Sequence, residues 1–178
     1  MVRRKGSVED SAAHAGSVLA VDPGETCGVA WMPLDALSLD SRAAAKQISH
    51  EQVPWGSAYG FDPEVSAANR ILLRIRRENA RIVLVESSAS ALLRPGMQRT
   101  KHSLVPLRIE AMLRFGLEHK WLDVRLEVVS PSQMSIASDS RMKAWGLWFR
   151  GEPHATDAAR HLMVFMRQWK KEMRDGKH

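Results

Sequence analysis

Four side chains in this sequence are of types that hold cations or move protons, and each stands at a point where a regular element begins or ends: Asp22, Glu86, His154 and Asp157. Asp22 follows the unbroken aliphatic run 18–21 and precedes Pro23-Gly24. Glu86 closes a second aliphatic run, 82–85, in the same way. His154 and Asp157 are three apart at the start of the last amphipathic segment, which puts them on neighbouring positions of one helical turn. Taken singly, an Asp before Pro-Gly is an ordinary turn residue, and an Asp in a first helical turn an ordinary partner for the helix dipole. Acids that recur at the ends of buried strands are a different matter. If the two aliphatic strands lie side by side, Asp22 faces Glu86, and two unpaired carboxylates so placed repel unless a cation lies between them. A divalent metal is the simplest remedy.

The elements that must position these groups follow from periodicity. An aliphatic run such as 18–21 suits a strand buried on both faces. Pro presets φ and Gly accepts positive φ, so the turn at 23–24 returns the chain antiparallel over 28–32. Residues 33–45 read as a loop or short helical excursion and 46–55 as a third strand. Asp62-Pro63-Glu64 opens a helix with Val65, Ile71, Leu72 and Ile75 as its stripe and Arg70, Arg74, Arg76 and Arg77 on its outer surface. Strand 82–85 then lies parallel to 18–21 through a right-handed crossover. A helix over 103–121, with Leu107, Ala111, Leu113, Phe115 and Leu117 among its apolar positions, and a strand over 124–129 follow. The final helix begins near Pro153 and buries Ala158, Leu162, Phe165, Met166 and Trp169.

With 178 residues the chain can bury a core of its own, and one domain is expected over 17–170, between a basic, aperiodic tail at 1–16 and a basic tail at 171–178. The single Cys27 excludes an internal disulfide and fits a reducing compartment. No apolar run approaches the length of a membrane span, so a cytoplasmic protein is expected. Lys and Arg outnumber Asp and Glu 26 to 20, with a pI near 9.9, which favours a polyanionic partner. Arg94, Arg99 and Lys101 lie in a Gly/Pro-bearing connector, 87–102, and Lys143 and Arg150 in an aromatic-rich stretch, 133–151. These five are the candidate DNA-binding cations. The connector reads equally as a hydrophobic loop packed on its own domain, whereas core or dimer packing is the favoured reading of the aromatics.

The order of elements, a three-strand antiparallel meander followed by helix, strand, helix, strand and helix, resembles the ribonuclease H-like α/β fold, a five-stranded mixed sheet flanked by helices. Within it the chain resembles the RuvC-type Holliday-junction resolvases, the crossover junction endodeoxyribonucleases. Val-Leu-Ala-Val-Asp22-Pro-Gly, Val-Leu-Val-Glu86, Val-Val-Ser-Pro131 and His154-Ala-Thr-Asp157-Ala carry the likeness, in that order, across 17–169. The resemblance implies that Asp22, Glu86 and Asp157 are metal-binding carboxylates, that His154 stands where family members carry Asp or His, and that 87–101 is the loop placed at a junction centre. It further implies two divalent ions, Mg²⁺ or Mn²⁺, a homodimer and branched DNA, chiefly four-way junctions, as partner. The family often has a lysine shortly after the Ser-Pro segment; here Met134 and Ser135 stand there, and Lys143 is the nearest candidate to replace it.

Two ions about 3.5–4 Å apart supply a nucleophilic water and a sink for charge on the leaving oxygen of a phosphodiester. His154 either joins the second ion, favouring Mn²⁺ because imidazole is a softer donor, or serves as acid/base at the leaving group. Rival readings are a fork or flap nuclease of the same fold, a non-catalytic nucleic-acid-binding module, and an actin-type ATP-binding domain. For the last the chain is too short, and it has no Gly-rich Lys loop. A small basic resolvase would suit bacterial recombination and repair or phage DNA processing.

Overall fold

In the computed structural model, residues 16–54, 56, 62–87, 104–120, 123–130, 134 and 136–176 are described. The chain enters with β1 (Ser17–Asp22) and returns as β2 (Cys27–Pro33). A 3₁₀ turn (Leu34–Ser38) and the short α1 (Ser41–Ala45) lead to β3 (Ser49–Val53). Then come α2 (Pro63–Arg77), β4 (Ala80–Glu86), α3 (Val105–Lys120), β5 (Arg125–Val129), α4 (Asp139–Trp145) and α5 (Pro153–Arg174). The strands form one sheet in the order β3-β2-β1-β4-β5. The meander β1–β3 is antiparallel, and β4 and β5 run parallel to β1. The mixed five-stranded sheet is therefore the one expected from the sequence.

Strand β1 is the middle strand, which is why its residues have no polar face. Val18 and Ala20 point to one side of the sheet and Leu19 and Val21 to the other, and all four are fully buried. The first side is covered by α5, through Leu162, Phe165 and Met166, with α1 and α4. The second is covered by α2 and α3, through Ile71, Ile75, Ile109 and Leu113. Each large aliphatic side chain so buried contributes about 1.5–3 kcal/mol relative to exposure. The turn from α2 into β4 is closed by Asn79, whose φ of 48° is the left-handed conformation that ends helices and that Asn tolerates. Helix α5 runs to Arg174 and so includes the first four residues of the basic segment 171–178.

Several local expectations are revised. Asp62, whose place before Pro63 in the sequence makes it the expected N-cap of α2, occupies that position, but its side chain makes no capping bond. Arg74 is not on a solvated face. Its guanidinium bonds Glu51 and, at 2.9 Å, Glu78, and lies 4.6 Å from the Trp31 ring centroid, because β3 and β2 run beneath that side of the helix. Phe115, read as part of the buried stripe of α3, is 64% exposed: Leu113 and Leu117 already fill that helix's contact with the sheet and α2. Trp148 is likewise exposed rather than core.

Candidate active site

The site forms at one end of the sheet because β1 and β4 are parallel neighbours in register, Val21 opposite Val85, so that Asp22 and Glu86 leave the sheet together. The third contribution comes from the start of α5. Gly28 lies opposite Asp22 in the β1–β2 hairpin. A Cβ on Gly28 would lie 1.8 Å from the His154 carbonyl oxygen, so the helix backbone rests directly on the hairpin at a position with no side chain. That approach brings His154 to Asp22. Its Nδ1 donates to Asp22 Oδ2 at 2.8 Å, the carboxylate being able only to accept.

A second imidazole enters from the same helix. His161 Nε2 donates to Glu86 Oε2 at 2.8 Å, and the ring is 2% exposed. His161 was not among the residues singled out from the sequence. The signal was present: His154, Asp157 and His161 stand at i, i+3 and i+7, one face of a helix. Asp157 is held differently, by Arg160 Nη1 at 3.2 Å, while Arg160 Nη2 donates to Asp139 at 2.7 Å.

The electrostatics are those of acids forced together. Burial raises the pKa of Asp22 above the usual carboxylate range; the hydrogen bond from His154 opposes this, and the charges of Glu86 and Asp157 raise it further. Asp157 is raised for the same first reason, with Arg160 opposing and Glu86 adding to it. The pKa of His154 is raised by its bond to Asp22, against a smaller effect of its own burial. Three acids and two imidazoles thus share one electrostatic neighbourhood. Among the described residues no three His, Cys, Asp or Glu side chains already converge as a metal cage; each acid is engaged by a basic neighbour instead. Cys27, on β2, is a bystander: burial pushes its thiol to about 11, and Sγ donates to the Gly24 carbonyl at 3.3 Å.

Of the expected DNA-binding cations, Arg94, Arg99 and Lys101 lie outside the described residues. Lys143 is exposed on α4, its ammonium 4.5 Å from the Trp148 ring centroid, and Arg150 is exposed in the turn before α5. Trp148, Phe149, Asp157, Arg160 and Asp139 line a cavity of about 320 Å³, so the aromatic pair adjoins Asp157.

No family model matches the sequence, and no curated protein matches it either. Solved structures do resemble it. Thermus thermophilus RuvC in complex with a Holliday junction substrate superposes with a TM-score of 0.52 at 14% identity, covering 84% of this chain and 91% of that one. The structure of Thermus thermophilus RuvC gives the same TM-score and identity, covering 83% and 92%. The fold is ribonuclease H-like.

Proposed function

We propose that this chain is a metal-dependent endodeoxyribonuclease that resolves four-way DNA junctions by paired nicking. The observation that carries the reading is the convergence of Asp22, Glu86 and Asp157, from three separate elements, close enough for their charges to disturb one another. A fold has no structural need to crowd three carboxylates at a sheet end; a cation-binding site does. Further support comes from the shared fold with a RuvC that has been captured with a Holliday junction, and from the chain's positive charge.

The donor set suits a divalent ion. Carboxylate oxygens are the donors Mg²⁺ prefers, and the imidazole of His154 adds one that Mn²⁺ accepts more readily. Asp22, Glu86, Asp157 and His154 would hold up to two such ions, which when bound supply activation of water and charge stabilisation on the leaving oxygen. The protein's own part is to hold the acids in place and oriented. Asp22 sits at the centre, on the middle strand of the sheet; His154 is the group free to move a proton near the leaving oxygen, being half-exposed. Lys143 and Arg150, with Arg94, Arg99 and Lys101, would neutralise the phosphates on either side. A homodimer would match the two-fold symmetry of a junction and place one such site on each opposing strand.

The test is cleavage of a labelled synthetic four-way junction beside a fork, a flap and linear duplex, with Mg²⁺ or Mn²⁺ and with Asp22→Asn as control. Paired symmetric nicks confined to the junction and abolished by Asp22→Asn establish the resolvase. Equal cutting of fork and flap widens the function to a branched-DNA nuclease. Metal-independent binding without cutting makes the chain a nucleic-acid-binding module.

A further inference from the structure

His161 is the group at this site whose presence neither the core nor direct contact with DNA accounts for. It is 2% exposed, between Ala158 and Leu162 on the buried side of α5, in a helix that fills comparable positions with Leu162, Met163 and Met166. An apolar side chain would pack there without the cost of desolvating an imidazole. The ring is too deeply buried to meet a substrate, so any chemical role it has must be exerted through the group it touches. That group is Glu86, at 2.8 Å.

We infer that His161 is a positioning residue, donating Nε2–H to one oxygen of Glu86 so that the other is presented to a divalent cation. This rests on the metal-dependent reading above. Glu86 is the last residue of β4, and its side chain has three rotatable bonds with which to turn toward solvent. One bond from a buried ring, itself fixed by helix packing, removes that freedom before the cation arrives. His154 relates to Asp22 by a similar bond but is half-exposed, which leaves it available to substrate; the two histidines therefore have different duties.

The measurement is Mn²⁺ affinity by electron paramagnetic resonance on the full chain without DNA, for wild type, His161→Leu, His161→Gln, His161→Asn and Asp22→Asn, with thermal melts alongside. Leucine should keep the fold and weaken Mn²⁺ binding about 10–100-fold. Glutamine, whose amide nitrogen reaches about as far as imidazole Nε2, should recover most of the affinity, and asparagine, too short, should not. In junction cleavage the same order should appear in kcat with KM for DNA unchanged. A folded leucine variant with wild-type affinity overturns the inference, as does equal affinity of the glutamine and asparagine variants, the comparison that decides if leucine does not fold. Failure of the underlying reading has a different signature: wild type then shows no Mn²⁺ binding that Asp22→Asn removes.

Discussion

Replacing Gly28 by alanine should disable the site without touching any of its functional groups. The added methyl would stand 1.8 Å from the His154 carbonyl oxygen, 2.0 Å from its carbon and 2.6 Å from the Ala155 nitrogen. All three are backbone atoms, so no side chain can swing aside. Contacts under 3.0 Å are essentially never seen for a real Cβ. The start of α5 must therefore retreat from the hairpin by more than about 1 Å, a misplacement that costs roughly 10²-fold in rate where reacting groups are positioned by packing. Because α5 is one 22-residue helix, His154 and Asp157 retreat together, and the 2.8 Å bond from His154 to Asp22 opens beyond hydrogen-bonding distance. Overpacking of this kind costs about 1–3 kcal/mol, and each kcal/mol lowers Tm by about 2–4 °C in a chain of this size. Single-turnover junction cleavage, Mn²⁺ titration and a thermal melt should all be run, with Gly56→Ala as control, since a Cβ there meets nothing within 4 Å. A Gly28→Ala protein that melts and cuts like wild type would refute the claim that this contact sets the position of α5.

Four further outcomes follow. Asp22→Asn should abolish cleavage while retaining junction binding in a gel shift. In the metal-free protein it should also raise stability by about 1 kcal/mol at neutral pH, because the amide can still accept from His154 and removes a carboxylate whose ionisation burial opposes; an unchanged or lowered Tm would count against the electrostatic account. The raised pKa of His154 means that its contribution to metal-free stability is complete below the ordinary value of 6.5 and is lost as pH rises through the folded value, so the Tm difference between wild type and His154→Ala should shrink as pH rises above 6.5. A difference constant with pH would exclude the His154–Asp22 pairing as its source. Lys143→Ala and Arg150→Ala should each weaken junction binding across sequences and reduce the slope of log affinity against log salt by about 1, read by fluorescence anisotropy; an unaltered slope removes that residue from the interface. Cys27, buried and with its thiol pushed to about 11, should resist alkylation at about pH 8 until the protein is unfolded; rapid labelling of the native protein would contradict its burial.

What the sequence by itself determined is the part governed by local chemistry. A run of four aliphatic residues with no polar face suits a strand covered on both sides, and a strand that runs out at Asp22 or Glu86 places the carboxylate at one end of the sheet. The Pro-Gly turn makes the next strand antiparallel, and a helix between two buried strands makes them parallel, so the meander and the β1–β4 pairing were legible, as was the helical turn carrying His154 and Asp157. The tertiary structure decided what depends on distances between elements. His161 looks like one polar interruption in an apolar helix until α5 is laid across β4, and only then does it meet Glu86. Arg74 reads as solvated until β3 brings Glu51 beneath it, and Phe115 as core until Leu113 and Leu117 are seen to fill the contact. Gly28 is an unremarkable strand glycine in the sequence, yet its missing Cβ lets a helix backbone from the far end of the chain touch the sheet beside Asp22. Periodicity specifies which face of an element is buried; which atoms meet there is settled by packing to contact distance.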